Sequence, residues 1–174
     1  MTAQKPYIIF VSEVATLSGC NRFEEPQKVA SKILDGTRFS NTTSFARERE
    51  FVVKDKHFLL RGKIAPEKDG LPVLIRVRKE MQKRMYDNDY AQCQALCFLY
   101  DAKACIFTER PEFGSANPYT VQIEANQEQW NMLKQKMYDN LRKPCASASS
   151  WSGPDFDPRW CSLTEEEDDS PCAR

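Results

Sequence analysis

The sequence predicts one mixed α/β domain, in which helices flank a central mixed β-sheet, followed by a mobile acidic tail. Helix-like and strand-like segments alternate over residues 1–143, and the composition changes after Lys143. Hydrophobic residues make up 41% of the chain and charged residues 29%, which is a globular composition. No apolar run approaches the length of a membrane span. We therefore divide the chain into a domain, 1–143, and a tail, 144–174.

Two helices are expected first. Ser12 is a candidate cap for a short helix that ends at Gly19, and Pro26 occupies the first turn of a second helix that ends at Gly36. The spacing of apolar residues in the second helix predicts its buried face. That face consists of Val29, Ile33 and Leu34. Residues 37–49 are polar and are expected to be irregular.

A β-hairpin is predicted next. One strand is predicted at residues 51–64 (FVVKDKHFLLRGKI), the turn at 66–70 (PEKDG) and the partner strand at 71–80 (LPVLIRVRKE). The apolar spacing within 90–100 predicts a helix that packs on this sheet. Two further strands are expected at 103–110 and 117–125.

The last helix is predicted to start after Asn126, which is a good capping residue. Four apolar side chains at helical spacing define its buried face. They are Trp130, Leu133, Met137 and Leu141.

The charges divide unevenly along the chain. Lysine and arginine number 25, as do aspartate and glutamate, but the tail holds seven acidic and two basic residues, so it carries −5 and the domain +5. The tail is also rich in Ser and Pro, which predicts mobility. Trp151, Phe156 and Trp160 are unusual there and are expected to dock on the domain or on a partner. The acidic run itself is compatible with autoinhibition, partner binding or simple solubility.

The seven cysteines are scattered, contain no Cys-x-x-Cys pair and are accompanied by one histidine. This pattern argues against a structural zinc site and favours reduced thiols that act as small core residues. The first residues do not resemble a signal peptide. We expect an intracellular protein, in the nucleus or cytoplasm, with no cofactor and no membrane contact.

Three stretches together resemble the PD-(D/E)XK nuclease superfamily, most closely its YqaJ-like branch and related proteins of large DNA viruses. Residues 12–23 resemble a short helix followed by a turn with Gly, Asn and an aromatic residue. Residues 61–81 resemble the catalytic hairpin, and residues 90–109 the glutamine-bearing helix with its following strand. The resemblance spans about residues 8–138 and implies a restriction-endonuclease-like core.

The positions that bind metal in this family differ here. Ile64 stands where the family has Asp, and Arg76-Val77-Arg78 replaces Glu-x-Lys, whereas Gln92 keeps the family's glutamine. A fixed guanidinium about 4 Å from a divalent cation would cost roughly 8 kcal/mol at an effective dielectric near 20. The resemblance therefore implies a nuclease fold without metal and without catalytic residues.

The first functional hypothesis is association with nucleic acid, DNA rather than RNA, through this basic former active site. Lys63, Arg76 and Arg78 would contact phosphates, Gln92 would be a vestigial site residue, and contacts would be mostly to the backbone. The alternative without a binding function is a solvated basic face, in which the arginines are paired with acids such as Glu13 or Glu109.

Two other functions stay open from the sequence. The first is a protein-interaction scaffold built on the same fold. The second is an active nuclease whose metal ligands have moved to displaced acids. Those acids are Glu67, Asp69 and Glu80.

Overall fold

The structure is a computed structural model that describes residues 5–35 and 46–143 of the 174. Residues 144–174, the predicted mobile acidic tail, lie outside the described residues. In the described part, strands and helices follow one another in a mixed order. They are β1 (Tyr7–Phe10), α1 (Val11–Leu17), α2 (Pro26–Leu34), β2 (Ala46–Val53), β3 (Lys56–Lys63), β4 (Glu67–Lys68), β5 (Leu71–Arg78), α3 (Asp87–Tyr100), β6 (Ala104–Pro111), β7 (Tyr119–Glu124) and α4 (Gln127–Arg142).

The strands form two sheets, one of three strands in the order β1-β3-β2 and one of four in the order β4-β5-β6-β7. β3 is parallel to β1 and antiparallel to β2. β5 is parallel to β6 and joined to it through α3, as parallel strands require a long crossover. Both sheets are mixed and helices pack against them, which confirms the predicted mixed α/β fold.

Two of the predicted helices, α2 and α4, agree closely with the structure. Pro26 is the first residue of α2, and Asn126 caps α4 by accepting a hydrogen bond from Gln129 N at 3.1 Å. The predicted apolar face of α4 is buried. In α2, Val29 and Ile33 are buried, but Leu34 is 50% exposed because the helix ends there. α1 begins at Val11, before the predicted cap.

The strand predictions were less accurate. The single strand predicted at 51–64 is two strands, because Lys54 adopts a left-handed conformation (φ 52°) and turns the chain between β2 and β3. Residues 46–49, predicted to be irregular, belong to β2. β1 was not predicted at all.

The predicted hairpin between residues 51–64 and 71–80 is mostly wrong. β5 pairs antiparallel with the short β4, across a turn in which Asp69 and Gly70 both have positive φ. One further hydrogen bond joins Val73 N to Pro66 O at 2.9 Å. β3 instead pairs with β1 and β2 in the other sheet.

The four-stranded sheet has two unlike faces. The helix face packs against α3 within the main core. It carries Leu74, Arg76 and Arg78 of β5, and on β6 Phe107 lies opposite Leu74 and Glu109 opposite Arg76. The outer face carries the alternate residues, which are Val73, Ile75, Val77, Ile106, Thr108 and Arg110. The predicted basic pair is therefore on the helix face, at the end where β5 stops.

Four cysteines of the described part, Cys20, Cys93, Cys97 and Cys105, are buried and free, as the sequence predicted. Burial and the neighbouring Cys105 raise the pKa of Cys97 to about 12, so this thiol is protonated at neutral pH. Cys145, Cys161 and Cys172 lie outside the described residues. None of the helices described is both long and apolar enough for a membrane span.

Candidate functional site

Two arginines and two acids meet where β5 and β6 end and α3 begins. Arg76 and Arg78 share the helix face because they are two residues apart on β5. Glu109 lies opposite Arg76 on the parallel strand β6, and Asp89 lies in the first turn of α3. We call these four residues the arginine–carboxylate network.

Asp89 holds both arginines. Its side chain is 1% exposed, and its Oδ1 accepts a hydrogen bond from Arg76 Nε at 2.7 Å. Its Oδ2 accepts from Arg78 Nη2 at 2.8 Å and from the backbone of Tyr86 at 3.2 Å. Because charge-assisted bonds of this length are strong, the carboxylate fixes the orientation of both guanidinium groups.

Glu109 is the second carboxylate of the network and is fully buried. Its Oε1 accepts from Arg78 Nη1 at 2.9 Å and from Gln82 N at 2.8 Å, and its Oε2 accepts from Lys83 N at 2.8 Å. Burial alone would raise the pKa of Glu109, but the hydrogen bonds from Gln82 N and Arg78 outweigh it and lower the pKa. Glu109 is therefore a carboxylate that also shapes the loop leading into α3.

The network as a whole is neutral, with two guanidinium groups against two carboxylates. The sequence left open whether Arg76 and Arg78 are free to contact phosphate or are paired with acids, and in the structure each arginine has a buried carboxylate partner. Tyr86 adds a further support, because the guanidinium carbons of Arg78 and Arg84 lie over its ring at 4.8 and 4.4 Å from the ring centroid.

A cavity of about 730 Å³ opens beside the network. It is lined by residues 20–23, residues 84–89, Arg76 and Arg78, and we call it the arginine cleft. Arg22 and Arg84 add positive charge to its lining, and Asp87 adds a negative charge. Burial raises the pKa of Asp87, although Arg22 and Lys136 act in the opposite direction.

The predicted site residues are not all in the cleft. Arg76 and Arg78 line it, whereas Lys63, Ile64 and Gln92 are not among its lining residues. Lys63 is the exposed last residue of β3, in the other sheet, and Ile64 follows it with 60% of its surface exposed. Gln92 is 8% exposed on α3. The roles assigned to these three residues stay predictions.

The alternative in which acids pair with the two arginines agrees with the structure. Glu109 is a partner of Arg78, as that alternative anticipated, but the partner of Arg76 is Asp89. Glu13 accepts a hydrogen bond from Phe10 N at 3.0 Å. The prediction missed Asp89 because it started the helix at Tyr90, although an acid just before an apolar helical pattern is a typical first-turn residue.

The residues present do not fit the metal that the fold family implies. Ile64 has no ligand atom, and all four oxygens of Asp89 and Glu109 already accept hydrogen bonds. The displaced acids Glu67, Asp69 and Glu80 are exposed and do not line the cleft. In residues 5–35 and 46–143, no cluster of three or more His, Cys, Asp or Glu side chains is placed to hold a metal ion.

Two solved structures have a similar fold. An alkaline exonuclease from Laribacter hongkongensis, LHK-Exo, superposes with a TM-score of 0.53 at 12% identity over 76% of this chain and 85% of its own. SSO0001 superposes with a TM-score of 0.52 at 13% identity over 80% of this chain and 76% of its own. No protein-family model and no curated protein matches the sequence.

These similarities define the class of fold. The described part of the chain has a nuclease-like α+β core, consistent with the PD-(D/E)XK superfamily that the sequence resembles. At 12% and 13% identity the likeness establishes the fold alone, so the chemistry of the site must come from the residues of this chain.

Proposed function

We propose that this protein binds nucleic acid through the arginine cleft, without metal and without hydrolysis. The observation that carries the proposal is the way Arg76 is held. In the part of the chain that the structure describes, Arg76 makes one hydrogen bond, from Nε to Asp89, and its side chain stays 29% exposed. Its terminal nitrogens are therefore oriented but still available, and a guanidinium in that state can grip a phosphate with two parallel hydrogen bonds.

The same network supports the proposed absence of hydrolysis. Hydrolysis by a nuclease of this fold class needs carboxylates with oxygens available to a divalent cation. Here Asp89 and Glu109 use their oxygens for guanidinium and backbone N–H groups. We propose that the exposed edge of the Arg76 guanidinium takes the place of a metal as the positive group that faces a phosphate.

The charge of the cleft lining sets the affinity that we expect for nucleic acid. Because the network is neutral, the additional positive charge at the cleft lining comes from Arg22 and Arg84 and is partly offset by Asp87. A few phosphate contacts of this kind give modest affinity that weakens as salt is raised. Nucleic acid is the expected class of ligand, since LHK-Exo, whose fold this chain shares, is an alkaline exonuclease, and DNA is the form we propose.

Fluorescence anisotropy with labelled DNA tests this proposal, with magnesium and with EDTA. We expect equal affinity in both conditions, intact DNA on a gel, and about tenfold weaker binding by Arg76→Gln, with a smaller dependence on salt. Arg110→Gln is the matched control, because Arg110 is an exposed arginine on the outer face of the same sheet. Cleavage that appears with magnesium or manganese and disappears with EDTA would contradict the proposal.

A protein scaffold is the second candidate, favoured by the outer face of the four-stranded sheet. Ile75 and Val77 are 38% and 49% exposed there, side by side on β5. If the protein is a scaffold, it should show no affinity for DNA, and a purified protein partner should bind Arg76→Gln as well as it binds the wild type.

A further inference from the structure

The arginine cleft contains a second set of groups that a phosphate does not use. Asn88, the second residue of α3, lines the cleft, and its Oδ1 is buried with no hydrogen-bond partner among the described residues. A buried acceptor left unpaired carries a cost in free energy. A ligand that donates a hydrogen bond to this oxygen would recover that cost, and a phosphate diester has no proton to donate.

Phe23 lies at the same cleft and is 92% exposed, the most exposed of the large apolar side chains in the described part of the chain. The backbone at Phe23 is held locally, because Phe23 N donates to Asn21 Oδ1 at 3.0 Å and Asn21 Nδ2 donates to Thr16 Oγ1 at 3.0 Å. An exposed aromatic ring at such a position is a stacking platform for a base. Tyr86 is a poorer stacking platform, because two guanidinium groups already lie over its ring.

The size and polarity of the cleft fit one nucleotide. A volume of about 730 Å³ falls within the usual range of small-ligand sites, about 300–1,000 Å³. Arg76 offers donors to a phosphate, Phe23 an apolar face, and Asn88 an acceptor. A base stacked inside a duplex cannot present its face and its pairing edge together, whereas an unpaired base presents both.

We propose that the arginine cleft binds one unstacked nucleotide of single-stranded nucleic acid. Its phosphate lies on Arg76, its base stacks on Phe23, and an N–H of the base donates to Asn88 Oδ1. The proposal rests on the proposed function and adds to it the class of ligand and the residues that recognise the base.

The test compares two labelled oligonucleotides of eight units, one of deoxycytidine and one with abasic sugars throughout. Both carry the same phosphates, and only the first has a base amino group. We expect the wild type to bind the deoxycytidine strand about tenfold or more tightly than the abasic strand. Phe23→Ala and Asn88→Leu should each lose most of that difference.

Phe113→Ala is the matched control for Phe23→Ala, because Phe113 is 77% exposed and does not line the cleft. It should bind both strands as the wild type does. Equal wild-type affinity for the two strands would overturn the base-recognition proposal and leave the phosphate proposal standing. Failure to bind either strand would overturn both. If Asn88→Leu fails to fold, the comparison of Phe23→Ala with the wild type is the test of base recognition.

Discussion

The two faces of β5 reverse the usual distribution of side chains. On the helix face, Arg76 and Arg78 are only 29% and 20% exposed, whereas on the outer face Ile75 and Val77 are 38% and 49% exposed. One strand thus buries its charges and exposes part of its apolar surface. The exposed residues need no special explanation, because soluble proteins expose much apolar surface, but the buried charges do.

Stability alone does not account for the arginine–carboxylate network. Removing two ion pairs from water costs about as much as their attraction returns, and well-packed apolar residues would stabilise the same place at least as well. What a network does provide is orientation, since Asp89 fixes Arg76 through Nε and leaves its outer edge toward the cleft. The helix face, unlike the outer face, therefore combines a core at Phe107 with a positioned cation at Arg76.

The largest expected effect comes from the apolar part of the helix face. Phe107 is fully buried, so Phe107→Ala should lower the free energy of unfolding by about 4 kcal/mol through lost burial and a cavity. Ile75→Ala on the outer face should cost about 1 kcal/mol, because that side chain is already partly in water. Urea denaturation followed by circular dichroism measures both. Equal losses would mean that the outer face is also a core.

A smaller effect separates a buried ion pair from an exposed one. Asp89→Asn should lower the free energy of unfolding by about 3 kcal/mol, because Arg76 and Arg78 both lose a charged partner. The control is Asp101→Asn at the other end of the same helix, where the carboxylate is 90% exposed and pairs with Arg49. Exposed pairs contribute at most about 1 kcal/mol, so this variant should be nearly as stable as the wild type.

The same pair of variants separates stability from binding. Asp89→Asn should also weaken DNA binding, because Arg76 is no longer held at the cleft, whereas Asp101→Asn should bind normally. A stable Asp89→Asn protein with unchanged affinity would show that the network does not position Arg76.

The sequence predicted the helices well because their signals are local. Pro26 at a first turn, Asn126 as a cap and the apolar face of α4 each depend on a few neighbouring residues. Strand pairing is not local. The run of β-forming residues at 51–64 hid the turn at Lys54, and nothing in it specified β1 as the neighbour of β3.

The candidate site was half predictable for a related reason. Arg76 and Arg78 could be placed on one face by their spacing alone, but their partners come from β6 and α3, which lie 31 and 11 residues further along than Arg78. Glu109 is one of several acids that the sequence offers as partners, whereas Asp89 was missed with the start of α3. Phe23 is the aromatic residue of the turn that resembles the family's, and Asn88 carried no sequence signal, but a role for either depends on a cleft formed by distant segments.

The smallest expected effect is a pH dependence that belongs to the helix face alone. Because the folded-state pKa of Glu109 is below its ordinary value of 4.5, this carboxylate stabilises the fold at pH values above 4.5, and its contribution is lost as the pH falls through the lowered value. Glu109→Gln should be about 2 kcal/mol less stable than the wild type at pH 7, since it loses hydrogen bonds to a charged group. The difference should shrink below pH 4.5, once the wild-type carboxyl also becomes neutral.

Free energies of unfolding in urea between pH 7 and pH 3 measure this convergence. Glu112→Gln is the control, because Glu112 is exposed just beyond β6 and should give a curve that follows the wild type throughout. A gap between Glu109→Gln and the wild type that stays constant down to pH 3 would mean that shape, and not charge, is what Glu109 contributes. In that case the network would be a packing device, and the charge of the buried carboxylate would not be what holds Arg78 in place.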